Sequence, residues 1–358
     1  MNLYNDFLDE WSEIWFENVK NNSIFYLRQS DVSYNKNITW KTVQKNPDYS
    51  WDYRYLSMNE NITYDIIKNN INLPWNYCML SNNKNVTIQW IKTFESDDWD
   101  YDNLSRNENI SWKTISNNPD LPWNYGAMSC SSKINWKIVQ ENPNKYWDYY
   151  FLSSNLNITW DIVQKNPSKQ WNYWILSSNP NITFDIIQNN PEKYWCYHRA
   201  LLSNKPSNPF NELKKYYNDF LKLFVDSNFI ISKMPIITWK IVQENPDINW
   251  DYDGLSINDN ITYDIIKNNP NKPWNYDYFS SNININWEIV NDNPNEDWNY
   301  SALCCNPMNV ARDAFIRNKF REWFRRSDLK AELMANVWHP RNFEKFKYLD
   351  PETFGEDF

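Results

Sequence analysis

An all-α solenoid is the fold class this sequence predicts, on three observations. A 24-residue pattern returns ten times with Trp and Tyr at fixed places, each copy carries two helix-start signatures with a proline between them in most copies, and the period-two alternation of strands is missing. A period of about 20 to 50 residues marks stacked supersecondary units, because a unit that small cannot bury its own apolar face. A β-solenoid shares the period and is the competing reading; one proline and two caps per unit favour helices.

Residues 1–36 fit the pattern poorly and read as an N-terminal cap. Units then start at positions 37, 61, 85, 109, 133, 157 and 181, and again at 236, 260 and 284. We number the first residue of each unit slot 0. In the sixth unit Thr159 suits an N-cap, Asp161 faces the positive end of the helix, and Ile158 can close over the cap onto Val163 as a hydrophobic staple. That helix should stop near Asn166, because Pro167 lacks an N–H and disfavours the α conformation before it. Eight units carry this Asn-Pro pair.

A second helix starts at slots 14 to 16. Slot 14 is Trp in all ten units (Trp51, Trp75, Trp99, Trp123, Trp147, Trp171, Trp195, Trp250, Trp274, Trp298), slot 15 is Asp or Asn in nine, and slot 16 is Tyr in all ten. The tryptophan reads as a structural staple, closing on the residue at slot 19 as Trp171 would on Leu176. The following Ser-x-Asn, as in Ser57-Met58-Asn59, is expected to end the helix with Asn in the left-handed conformation that glycine usually takes. Helices this short are marginal alone. Ten stacked units predict a curved rod on the order of 80 to 100 Å long.

Repeats 1–7 occupy 37–204 and repeats 8–10 occupy 236–307. Between them, 205–235 contains PFNELKKYYNDFLKLFVDSNF, where Phe210, Leu213, Tyr217, Phe220, Leu221 and Phe224 make one apolar stripe, so an inserted amphipathic helix is expected. The third unit is eroded: Ile88 holds the aromatic slot and Phe94-Glu95 stands where Asn-Pro belongs, which allows a bend. Residues 308–358 read as a basic helical cap with an acidic end.

Composition narrows the function classes. Three glycines (Gly126, Gly254, Gly355) are too few for a phosphate-cradling loop, five cysteines lack metal spacing and read as reduced, and the two histidines lie far apart. Recurrent carboxylates fall at slots 4 and 15, where capping explains them. No cofactor, metal site or catalytic residue is expected, and the chain reads as a non-enzyme. The acidic N-terminus shows no signal peptide, and no run approaches about 18 uncharged apolar residues, so an intracellular protein that does not enter membranes is expected.

Two surfaces are candidates for binding. Slots 17 and 18 vary from unit to unit, and Tyr55, Tyr150, Trp174, His198, Arg199 and Tyr278 at those slots are the residue types that anchor protein interfaces. Variation on a fixed scaffold is how repeat surfaces diversify; drift on an unused solvent face is the plainer alternative. The second candidate is a basic patch of Arg317, Lys319, Arg321, Arg325, Arg326 and Lys330 in FIRNKFREWFRRSDLK. A net charge of −9 for the whole chain, with residues 1–308 at −10, disfavours nucleic acid along the repeats and leaves it only this C-terminal segment.

NITWDIVQKNP joined to WNYxxLSxNP, with a tail SDLKAELMANVWHPRNFEKFKYLD, resembles the Trp- and Asn-rich repeat proteins of mimivirus-like giant DNA viruses of amoebae. The repeats span about two thirds of the chain. The resemblance implies a viral origin and a setting in the host cytoplasm or the virion, and it transfers no catalytic residue. The expected function is a non-enzymatic scaffold for protein–protein interaction; the alternatives are a nucleic-acid-associated protein using the basic segment and a structural component packaged in the virion. Partner identity and oligomeric state are left open by the sequence.

Overall fold

The computed structural model describes residues 3–22, 29–94, 96, 98–196, 199–200 and 227–326. Every regular element among them is a helix, so the solenoid is helical and the β alternative falls away. Each unit is a pair of short helices, as in the sixth unit, Trp160–Lys165 followed by Tyr173–Leu176. Ile158 and Val163 are buried on either side of the first cap, and Trp171 and Leu176 on either side of the second. Asn172, at the second cap, accepts the N–H of Ile175. The first helix ends at Asn166, one residue before the proline.

The tryptophan does more than cover a cap. In all ten units its indole N–H donates to the slot 9 carbonyl five residues back, at 2.7–3.0 Å, from Trp51 to Asn46 through Trp298 to Asn293. That carbonyl is one of those the end of the first helix leaves without an intrahelical donor. The ring then packs between aromatics of the preceding unit: Trp171 meets Trp136 at 5.8 Å and Tyr149 at 5.2 Å.

Units are joined by polar bonds at constant offsets. The slot 15 N–H donates to the slot 20 hydroxyl 19 residues back, as from Asn172 to Ser153 at 2.9 Å. The buried slot 22 Asn reaches back 26 and 24 residues to two carbonyls, as Asn155 does to Ser129 and Ser131, and the slot 0 Asn reaches back 25 and 23, as Asn157 does to Ser132 and Ile134. The slot 22 Asn is therefore not left-handed: Asn59 has φ −65° and ψ 131°, and the only positive φ outside glycine among the described residues is at Met308. The chain leaves the second helix extended, which aims the amide at the layer below instead of reversing the chain.

The eroded third unit keeps these bonds. Trp99 still donates to Phe94 O at 3.0 Å, Asp100 N–H to the Ser81 hydroxyl at 2.9 Å, and Asn107 to Asn83 O at 2.9 Å. Trp90 is buried two residues past the missing aromatic and Phe94 is buried in the slot that asparagine holds elsewhere, so the ladder crosses this unit without a break.

The layers do not run out as an open rod. Several consecutive second helices pack closely, as Tyr53–Met58 with Tyr77–Leu80 and Tyr149–Ser154 with Tyr173–Leu176, whereas of the first helices only Trp40–Lys45 is packed as closely by a neighbour, so the layers taper toward their second helices, which take the inner side. The curvature brings the chain's two ends together. Helices α1 (Leu3–Asn22) and α2 (Gln29–Tyr34) form a layer of their own, in which Ser33 and Asn35 act as slots 20 and 22: they receive Asp52 N–H and supply carbonyls to Asn59. Asn35 in turn donates to the carbonyls of Cys304 and Asn306 at 2.7 and 3.2 Å, and Asn37 to Pro307 O at 3.0 Å. This N-terminal layer therefore sits between unit 10 and unit 1. The C-terminal helix Asn309–Arg326 lies on α1, with Phe320 on Phe7 at 5.0 Å, Phe315 on Trp11 at 5.4 Å, and an ion pair between Lys319 and Glu10. The N-terminal residues, read from the sequence as an end cap, are thus a layer with a neighbour on each side, and the C-terminal helix packs on its first helix.

Most of the expected inserted helix, including Phe210 to Phe224, lies outside the described residues. Its last part is a half-layer: in the helix Ser227–Lys233, Ser232 receives Asp251 N–H at 2.9 Å, and the carbonyls of Ser232 and Met234 accept Asn258 at 2.8 and 2.9 Å.

Candidate interaction surface

Slots 17 and 18 lie on the second helices, so the variable pairs line the inner side of the stack. Here side chains two layers apart touch. The Arg106 guanidinium lies 5.8 Å from the Phe151 ring, and Phe229 packs on Tyr278 at 5.6 Å. In both cases the layer between offers little at these slots: Gly126 and Ala127 in one, Gly254 in the other. A Cβ on Gly254 would stand 2.5 Å from Phe229 O, so glycine is required there, while the nearest atom to one on Gly126 would be at 3.3 Å.

The candidate residues divide by environment. Arg199 stacks over Trp174 with its guanidinium 3.8 Å from the ring and Nη1 donating to Ser178 Oγ at 3.3 Å, so the two act as one composite patch. Tyr150 is 48% exposed and Tyr278 38%. Tyr55 is half-buried, with Arg54 over its face; Arg54 also pairs with Asp52 at 2.8 Å, an interaction that holds the Asp52 carboxyl below the usual carboxylate range. His198 lies outside the described residues. The structure thus spreads the five described residues over units 1, 5, 6, 7 and 9 and, among these five, pairs only Trp174 with Arg199. The sequence reading missed Phe229, hidden in what read as an insertion; the Ile231-Ser232-x-Met234 spacing, matching slots 19 to 22, was the available signal. Three aspartates of slot 17, Asp102, Asp253 and Asp277, accept the slot 15 Asn amide of the next layer at 2.6–2.7 Å and so belong to the scaffold.

The basic patch is partly absorbed. Lys319 is taken by Glu10, and Arg317 Nε donates to Asp313 O at 3.2 Å. Arg317, Arg321 and Arg325 are exposed at four-residue spacing on one face of the C-terminal helix. The side chain of Arg326, and Lys330 altogether, lie outside the described residues.

Titratable groups elsewhere are shifted by burial. Burial pushes the Cys304 and Cys196 thiols up, away from reactivity, and pushes the phenol of Tyr276 up to about 12. Lys133 is the exception to the Asn ladder. Unit 4 has Ser131 at slot 22 and unit 5 has Lys133 at slot 0; the Lys133 ammonium donates to Asn107 O and Ile110 O at 2.8 and 2.7 Å, taking over what asparagine does elsewhere. Burial lowers its pKa to about 8. No helix among the described residues is long and apolar enough to cross a membrane. Among those residues, too, no three His, Cys, Asp or Glu side chains are grouped so as to hold a metal ion.

No family model, curated protein or solved structure matches the chain.

Proposed function

We propose that the protein is a non-enzymatic scaffold whose inner face binds a protein partner. One observation carries this reading. The invariant residues are consumed by the interlayer ladder and the core, whereas several of the residues that change from layer to layer stand on the second helices as aromatic and arginine groups, among them the contacting pairs Trp174–Arg199 and Phe229–Tyr278. Affinity capture from infected amoebae with the purified chain, repeated with Trp174→Ala and Tyr278→Ala, tests it. The reading expects a specific protein recovered by the wild type and lost from the variants; recovery of the same proteins by both refutes it.

The exposed Arg317, Arg321 and Arg325 stripe supports a second reading, association with nucleic acid. Binding of RNA and DNA at two salt concentrations, with and without residues 309–358, decides it: affinity that does not fall with salt excludes phosphate contacts. The viral setting rests on the resemblance alone, and mass spectrometry of purified particles tests whether the chain is packaged.

A further inference from the structure

The junction between the N-terminal layer and unit 10 has the chemistry of every other junction but not its connectivity. Between the other described layers the two sides are consecutive in the chain. Here Asn35 and Asn37 meet Cys304, Asn306 and Pro307, and Asn22 meets Asn291 at 3.1 Å, across some 270 residues. Two contiguous lobes result, 3–200 and 227–326, connected covalently by residues 201–226.

We propose that this junction is also an interface between two copies of the chain, formed when they exchange lobes, so that the N-terminal layer of one copy seats on unit 10 of the other. Three observations favour a second copy as the occupant. The bonds are those of the ladder itself, so the seat is shaped for a layer of this repeat. The junction is head-to-tail, so each copy offers one of each half, and reciprocal exchange closes a two-fold dimer with both junctions satisfied. The two lobes are separated in the chain by 26 residues, so the junction within one copy forms as an intramolecular event and only a high concentration of copies can rival it. Exchange therefore competes when copies fold together at high concentration. This inference does not depend on a partner for the inner face.

The Glu10–Lys319 pair, which spans the two lobes, supplies a test. Glu10→Lys alone sets two lysines against each other, and Lys319→Glu alone sets two glutamates. In a lobe-exchanged heterodimer of the two variants both junctions regain opposite charges. The two full-length chains, differently tagged, are unfolded together, refolded at high concentration and separated by size. The proposal expects dimers in which heterodimers outnumber homodimers about fivefold over the one-to-one statistical ratio, the size of effect that exposed ion pairs support. The double variant Glu10→Lys with Lys319→Glu, whose pair is restored within one chain, should return to the wild-type proportion of monomer, and far-ultraviolet circular dichroism of each single variant at low concentration should match the wild type, which shows that the single changes fold. Absence of dimers in every sample, or dimers at the statistical ratio, overturns the proposal.

Discussion

Replacing Asn155 by alanine tests the ladder most directly. The side chain is fully buried; Nδ2 donates to the carbonyls of Ser129, Ser131 and Ile134 at 2.8, 2.9 and 3.0 Å, and Oδ1 accepts Asn157 N–H at 2.8 Å. Two of the acceptors keep other donors, Ser131 O from Ile134 N–H and Ile134 O from the Asn157 amide. The Asn157 N–H and the Ser129 carbonyl lose the bonds described here. At about 1 to 3 kcal/mol for each of these two groups left unsatisfied, the loss is about 2 to 6 kcal/mol. Stability in a layered stack is a sum of neighbour terms, so the effect is read both as a fall in the urea midpoint and as faster amide hydrogen exchange in units 4 and 5. Asn157→Ala is the control: its side chain is exposed enough for water to replace the amide, and a loss under about 1 kcal/mol is expected. If Asn155→Ala stays within about 0.5 kcal/mol of the wild type, or matches the control, the ladder is ornamental and the reasoning fails. Asn155→Asp adds a sign. Burial among carbonyls disfavours the carboxylate, so the folded-state pKa should lie above the unfolded one, and this variant should lose stability as pH rises between the two and regain it in acid.

Three further outcomes follow from the same contacts. The Lys133 pKa, lowered to about 8, means that the folded state binds fewer protons than the unfolded state between pH 8 and the ordinary lysine range; wild-type stability should rise with pH in that window relative to the double variant Ser131→Asn with Lys133→Asn, and parallel pH profiles in urea titrations would contradict this. Gly254→Ala should cost about 1 to 3 kcal/mol by pushing against Phe229 O, while Gly126→Ala is tolerated; equal urea midpoints for the two would count against the tight inner packing. Trp171→Phe removes the indole N–H bond to Asn166 O, which keeps the Lys169 N–H, and also shrinks the buried ring, so the two together should cost about 1 to 3 kcal/mol by urea denaturation, and a loss under about 0.5 kcal/mol would contradict it.

The sequence carried the two helices of each unit because their determinants are local: Thr159, Pro167 and Asn172 act within a few residues of themselves. It carried the burial of Trp171 but not its hydrogen bond, since a five-residue separation across a proline turn has no signature until the turn's shape is known. The role of Asn59 was misjudged for a related reason. A Ser-x-Asn after a helix is consistent with a left-handed cap, and only the position of the preceding layer shows that its amide has a better use. Closure was out of reach: nothing near Asn35 points to Cys304. The Val32-Ser33-x-Asn35 spacing nevertheless repeats slots 19 to 22 inside what read as a cap, and it marks the N-terminal layer. At the inner surface, variability located the right slots, but the pairings Trp174–Arg199 and Phe229–Tyr278 depend on layer spacing and curvature.

The constant offsets of the ladder also act as a ruler. Because Asn155 must find Ser129 and Ser131 at 26 and 24 residues behind it, a single residue inserted between them would move both acceptors out of reach, and every unit is held to one length. Whole units can be gained or lost without disturbing this count, and foreign sequence can enter only where the count restarts. Asn258 makes that restart visible, reaching back 24 and 26 residues to Met234 and Ser232 and not to unit 7. The arithmetic of a side-chain amide thus sets both the grain size in which this chain can grow and the place where it can be interrupted.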